Sequence, residues 1–208
     1  MSTPKKRIRL SVADRRAQLL SHAQDLFAER SYDEVSIADV AAAAGVSPGL
    51  VFHYFESKRG LLLAAVSNAA DTLFAATEAA TVADQGDGSP AARLAALTAG
   101  LERYLEFVEA RAFAFRFVYS SGLGGDTEVA AILRRTRERF ADQIIEGRVE
   151  MAGTVGPPTP TLRYLALGWT SMVETVTLLW LDDQAVPRKQ LAASLAVAAA
   201  RLFGPPGA

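Results

Sequence analysis

The run from Ser36 to Phe55, Ser-Ile-Ala-Asp-Val-Ala-Ala-Ala-Ala-Gly-Val-Ser-Pro-Gly-Leu-Val-Phe-His-Tyr-Phe, constrains the fold more than any other stretch of the chain. It predicts two short helices joined by a three-residue turn. Ser36 is a strong N-cap, and Asp39, three residues on, complements the positive helix start. Gly45 falls where a helix C-terminus needs a left-handed residue. Ser47 is then placed to cap a second helix, with Pro48 at its first position, where a missing N–H costs nothing. Helix, glycine turn and capped helix is the arrangement that sets a second helix in the major groove of DNA.

The second helix divides into two faces. Val51 and Phe55 are four apart and pack together against the preceding helices. Pro48, Gly49, Leu50, Phe52, His53 and Tyr54 face elsewhere. An outward surface of that composition, with no charged residue, suits base edges and sugar-phosphate better than water. Gly49 permits close backbone approach, and the free N–H groups at the helix start favour a phosphate. The alternative is a small three-helix domain whose aromatics are only half-buried.

Residues 24–62, from Gln-Asp-Leu-Phe-Ala-Glu-Arg-Ser-Tyr to Phe-His-Tyr-Phe-Glu-Ser-Lys-Arg-Gly-Leu-Leu, resemble the N-terminal domain of the tetracycline-repressor (TetR) family. That resemblance implies an all-α fold, with an N-terminal three-helix helix-turn-helix domain and a C-terminal helical domain for ligand binding and dimerisation. It implies a dimeric transcription factor, in most members a repressor, that leaves double-stranded operator DNA when a small molecule enters the C-terminal domain. By the same resemblance Ser36, Ser47, Pro48, Gly49, Phe52, His53, Tyr54 and Lys58 fall on positions that contact the operator. The departures have consequences. Phe52 stands where the family usually has Tyr, so a phosphate-binding hydroxyl is missing. Pro48 replaces a frequent polar residue. Leu50 replaces a small polar one and can contact a thymine methyl. Ser31 replaces a frequent Gly, and a left-handed Ser there is strained by roughly 1 kcal/mol.

Composition bounds the rest. A chain of 208 residues, half of them apolar, fits one or two domains with a real core. No uninterrupted apolar run reaches membrane-spanning length and no signal peptide opens the chain, so no membrane partner is expected. Cysteine is absent, which fits a cytoplasmic protein. The net charge of −1 argues against a uniformly basic nucleic-acid binder, but the distribution matters more. Lys5, Lys6, Arg7, Arg9, Arg15 and Arg16 face only Asp14, concentrating positive charge beside the reading helices. This arm can lie along phosphates or be an ordinary solvated terminus. No thiol nucleophile, glycine-rich phosphate loop or metal-ligand spacing is present, so the expectation is no enzyme, no catalytic residue, no metal and no cofactor.

Two domains are expected, residues 1–57 and 58–208. The first helix runs from about Ser11 to Arg30. Ser57 caps a long fourth helix from Lys58 to about Thr81, and Lys58 at its start can meet a phosphate. Loops fall at 83–90 and 153–160. Between and after them lie helices over 91–110, 111–120, 126–151, 161–181 and 187–203. The last two are too hydrophobic to face water alone. Leu165, Trp169, Met172, Val173, Val176 and Trp180 lie along one, and Leu191, Leu195, Val197, Ala198 and Leu202 along the other. They either form a four-helix bundle with a second copy, the expectation adopted here, or are consumed inside the monomer. Candidate effector contacts are Arg103, Tyr104, Phe107, Arg111, Phe115, Tyr119, Trp169, Met172 and Thr175, with Phe113, Phe117, Glu174 and Thr177 nearby. Aromatic walls with a few fixed polar groups make a small-molecule pocket, and the expected effector is hydrophobic or amphipathic. The same aromatics can equally be plain core. The competing reading of the whole chain is a helical interaction module of this fold without DNA binding.

Overall fold

The computed structural model describes residues 10–83, 89–120, 126–152 and 159–203, with side chains at 83, 113, 117, 120 and 148–152 excepted. The basic arm up to Arg9, the interiors of both expected loops, and the side chains of Phe113 and Phe117 therefore lie outside the described residues. Among the described residues there are helices and no strand. They are α1 (Val12–Glu29), α2 (Ile37–Ala44), α3 (Pro48–Phe55), α4 (Lys58–Ala83), α5 (Pro90–Glu109), α6 (Ala112–Ser120), α7 (Thr127–Ala152), α8 (Pro160–Asp183) and α9 (Arg188–Phe203). The chain divides into two compact units, Met1–Asn68 and Ala69–Ala208, and α4 has residues in both.

Local chemistry sets each boundary in the first unit. Ser11 caps α1 by accepting from the Asp14 N–H. At α2 the Ser36 hydroxyl accepts from the Asp39 N–H at 3.1 Å, while the Asp39 carboxylate accepts from the Ser36 N–H at 2.8 Å. This capping box satisfies two otherwise orphaned donors. Gly45 ends α2 at φ 65°, and the Val46 N–H donates to the Ala41 carbonyl at 2.9 Å. Only a residue without a Cβ adopts that turn at no cost. Ser31, where a left-handed conformation would have been strained, does not adopt one. Its N–H and hydroxyl both donate to the Glu34 carboxylate, at 3.0 and 2.7 Å, and Ser31 is not among the positive-φ residues.

Only Glu56 and Ser57 separate α3 from α4. The Ser57 N–H donates to the Phe55 carbonyl at 2.6 Å, with Glu56 between them at φ 63°, ψ −35°. That is a γ-turn of the rare, positive-φ hand, a strained geometry for a residue with a side chain. The Ser57 hydroxyl accepts from the Gly60 N–H at 2.9 Å, starting α4 at once. Across from α4, Gln24 on α1 donates to the Ala65 carbonyl at 3.0 Å and to Asn68 at 3.1 Å. Leu19, Leu20, Val40, Val51 and Leu61 fill the space between these helices, each at most 2% exposed.

In the second unit α5 packs on α9, α7 packs on α8, and the short α6 touches α5 and α8. Leu105, Trp169, Val173, Trp180, Leu195 and Phe203 belong to one core. Gly100 on α5 lies so close to the Thr81 hydroxyl that a Cβ would overlap it. The Trp180 indole donates to the Val186 carbonyl at 2.9 Å, tying the end of α8 to the turn before α9. There the acidic pair does local work, Asp182 facing Arg116 at 3.3 Å and Asp183 accepting from the Ala185 N–H.

Two expectations need correction. Trp169 and Leu195 are both 5% exposed, so they are core of the single chain rather than an open seam. A helix with three-four spacing carries two stripes, and on α8 Trp169 sits on the inner one while Leu165, Met172 and Leu179 sit on the outer. Second, α4 from Lys58 to Val82 is, by length and composition, long and apolar enough to cross a membrane. Its Leu61, Leu62, Ala65, Leu73 and Thr77 are instead buried within the protein.

The α3–α4 corner yields a stability prediction. A Cβ on Gly60 would collide with the Phe55 backbone carbonyl, which the γ-turn holds in place. Gly60→Ala should therefore cost about 1–3 kcal/mol in urea or thermal denaturation. Gly147→Ala, whose Cβ would meet nothing within 4 Å, should instead stabilise by up to about 1 kcal/mol. Equal stability of the two variants would contradict the packing described.

Candidate functional site

The reading helix is oriented by what it buries. Val51 is 0% and Phe55 6% exposed, whereas Phe52 is 47% exposed. Burying a Val or Phe side chain is worth roughly 1.5–3 kcal/mol each, enough to fix which face of an eight-residue helix turns inward. Pro48, Gly49, Phe52 and His53 are exposed, and Leu50 and Tyr54 half-buried. The His53 and Tyr54 rings meet edge to face at 5.5 Å. An added Cβ at Gly49 would meet nothing within 4 Å, so the fold itself does not demand glycine there. The missing side chain leaves the backbone open to whatever lies against α3.

The hydroxyls expected at the interface are in different states. Ser36 is committed, since its Oγ also donates to the Asp39 carboxylate at 2.5 Å. These bonds from Ser36 hold the Asp39 carboxyl below the ordinary carboxylate range. Ser47 has the extended backbone of an N-cap, but its side chain makes no capping bond, which corrects the expected role. Its hydroxyl is left for another partner. Lys58 is held at the start of α4, its ammonium 4.3 Å from the Tyr32 ring centroid and 3.3 Å from the Asp33 carbonyl it donates to. Arg16 lies over the Phe55 ring at 5.3 Å. Lys58 and Arg16 thus flank the outward face of α3 and do not belong to it.

The candidate effector residues separate into four groups. Arg103 is on the surface, paired with Glu106 at 2.5 Å. Met172 is 40% exposed and Thr175 exposed, with the Thr175 hydroxyl donating to the Ser171 carbonyl. None of these three joins an interior wall, because each falls on the outer stripe of its helix. Trp169 is spent in the core, its ring edge-on to Phe203 at 6.3 Å. Arg111 stacks over Phe107 at 4.0 Å. Tyr104, Phe115 and Tyr119 do gather around a polar centre. The Tyr119 hydroxyl donates to Glu174 at 2.8 Å, Arg137 Nε donates to the other Glu174 oxygen at 2.6 Å, and the Phe115 ring lies tilted against Tyr119 at 4.5 Å. Burial raises the Glu174 carboxyl above its ordinary range despite those bonds. Burial, then the nearby Glu174 charge, raises both tyrosine phenols. The buried Tyr104 hydroxyl lies beside Thr177, whose own hydroxyl donates to the Val173 carbonyl at 2.7 Å. Arg137 was not singled out from the arginine-rich face of α7. Its place beside the buried Leu133, Thr136 and Ala141 is the signal that distinguishes it from its outward neighbours Arg134 and Arg135.

The two serines give a direct check. Ser36→Ala removes a working cap and should cost about 1 kcal/mol, whereas Ser47→Ala should change stability by only a few tenths. Denaturation of both variants in parallel measures the contrast, and a comparable loss at Ser47 would mean that its hydroxyl caps α3 after all.

Comparison with known proteins bears on both units. Residues 19–65 match the family model for bacterial regulatory proteins of the tetR family, and residues 94–202 match that for a tetracyclin repressor-like C-terminal domain. A tetR-family transcriptional regulator from Streptomyces coelicolor has the same fold, with a TM-score of 0.77 and 34% identity over 93% of this chain and 82% of that one. The HTH-type transcriptional activator FasR of Mycolicibacterium smegmatis is 25% identical over 177 residues, 84% of this chain and 76% of that protein. The HTH-type transcriptional regulator BetI of Serratia proteamaculans is 38% identical over 86 residues, 41% of this chain and 43% of its own length. The helix-turn-helix with the outward, open face of α3 thus lies within the first matched range, and the separate helical unit contains the second. The chain belongs to the TetR family of helix-turn-helix regulators, and is a DNA-binding regulator of transcription, not an enzyme.

Proposed function

We infer that this protein is a homodimeric, cytoplasmic regulator that occupies a pseudo-palindromic operator and leaves it when a hydrophobic or amphipathic effector binds the C-terminal unit. The observation that carries the reading is the outward face of α3, apolar and open at Gly49, with Lys58 and Arg16 on its flanks. The α3 face meets the major groove, while Ser47, Lys58 and the α3 N-terminus meet phosphates. Repression is the direction we adopt. The name of FasR supports activation as the second reading, and transcription from an operator-bearing promoter with and without the protein separates them.

Dimerisation is assigned to the outer stripe of α8 with the neighbouring face of α9. Leu165, Gly168, Met172, Thr175 and Leu179 recur at three-four spacing, all exposed, with Leu179 at 65%. Val197 and Leu202 on α9 are exposed as well. A helix pair with such a stripe buries it against its symmetry mate. Effector binding is assigned to the Tyr104–Tyr119–Glu174–Arg137 centre with Phe115 beside it, and the Arg111–Phe107 pair is kept as a further candidate contact. The path onward runs through Phe140, which meets Tyr104 edge-on at 6.3 Å and Phe74 of α4 at 5.0 Å. Arg139 grips the same part of α4, bonding Asp71 at 2.6 Å and lying 4.1 Å over Phe74. An effector acts on DNA binding by favouring one arrangement of α4 over another, and linkage then requires operator DNA to weaken the effector by the same factor.

Three variants test this reading. Gly49→Glu places a carboxylate in open space, so the protein should fold normally yet lose operator binding in a mobility-shift assay. Retained binding would exclude α3 as the reading surface and favour an interaction module. Leu179→Glu should give folded monomers by light scattering, whereas Trp169→Lys should unfold the chain by burying an unpaired charge, at several kcal/mol. A stable Leu179→Glu dimer would put the interface elsewhere.

A further inference from the structure

The helix-turn-helix from Ile37 to Phe55 contains no Lys, Arg, Asn or Gln. Those side chains are the usual readers of guanine and adenine in the major groove, and a carboxylate is the usual reader of cytosine. The one carboxylate in the segment, Asp39, is occupied by Ser36. On α2 the exposed positions are Ala38, Ala42 and Ala43, which carry only methyl groups. On α3 the outward side chains are Pro48, Leu50, Phe52, His53 and Tyr54. Phe52, at 47% exposed, is a large apolar ring held out into water on a helix whose core face is already filled by Val51 and Phe55. The flanking cations are placed for phosphates, which carry no base identity.

The major groove has one apolar feature, the C5-methyl group of thymine. We propose that this protein reads its operator chiefly through thymine methyl groups, with Leu50 and Phe52 as the specificity-determining side chains and Gly49 letting the backbone come close enough for both to reach. The proposal rests on the DNA-binding reading of α3 above. His53, exposed and opposite the buried Val51, and the half-buried Tyr54 remain available for a polar contact, but neither replaces the missing bidentate readers. The preferred half-sites are accordingly ones with thymines at the base steps that face α3, on either strand. The readout is by shape and methyl position, so replacing a T·A pair by C·G removes the recognised group without leaving a buried polar atom unpaired.

The test uses the full-length protein and duplexes selected by it from a random-sequence library. Each thymine of the selected half-site is then replaced by deoxyuridine, which keeps every hydrogen-bonding group and removes only the methyl. Affinity should fall about four-fold for each contacted methyl, and about fifteen-fold when the symmetric position is changed as well. In Leu50→Ala or Phe52→Ala protein the penalty at the position that side chain contacts should disappear. Phe52 is exposed, so its variant keeps the fold, and a thermal melt confirms this for both. Half-sites without thymine, or uniform indifference to deoxyuridine with sequence-selective binding intact, would overturn methyl readout and leave the regulator standing. That second result is also what minor-groove reading by the basic arm would produce. Failure to enrich any sequence would remove the operator reading itself, and the proposal with it.

Discussion

Burial of Val51 and Phe55 is the interaction on which the DNA-facing half of this protein depends. Eight residues are too few for a helix to persist alone in water, so α3 exists because one of its faces is packed. The same packing decides what the other face offers. With Val51 at 0% and Phe55 at 6% exposed, rotation about the helix axis is fixed, and Gly49, Phe52 and His53 have only one direction in which to point. Core and recognition surface are two readouts of a single helical register. A one-residue slip would bury Phe52 and expose Val51 together.

Much of this was legible in the residues because the determinants are local. The Ser36–Asp39 box, the left-handed Gly45 and Pro48 at the first helical position each act within a few residues, and each stands where the spacing places it. Ser47 and Ser31 show the limit of that logic. Both have local partners available, but the Ser47 hydroxyl makes no capping bond, and Ser31, standing where the family often has Gly, is satisfied by Glu34 without a left-handed backbone. The γ-turn at Glu56 has no sequence signature, since a glutamate at φ 63° is imposed by the short distance between two packed helices.

The C-terminal unit was less legible for a different reason. Its helices are long and rich in alanine and leucine, so apolar residues occupy more than one face. On α8 both stripes look hydrophobic, and only tertiary packing tells Trp169, 5% exposed, from Met172, 40% exposed. The polar centre posed the same difficulty. Glu174 and Arg137 come from α8 and α7, and nothing in their spacing announces that they will share a 2.6 Å bond inside an aromatic wall. A carboxylate kept there, with its pKa raised by burial, is costly unless its partners stay in place. That cost makes the packing around Tyr104 and Phe140 sensitive to anything that disturbs the pair.

The corner between α3 and α4 has a consequence for how binding specificity can change. Glu56 and Ser57 are the whole connection, and Gly60 accepts the Phe55 carbonyl against the first turn of α4. Such a joint has no slack to absorb a reading helix of different pitch or tilt. Transplanting a foreign recognition sequence into this scaffold therefore means exchanging residues 47–60 as one cassette, with the strained turn and its glycine included. Point changes at Leu50, Phe52 or His53 leave the joint alone, so the chemistry of the α3 surface can be repainted while its angle is inherited.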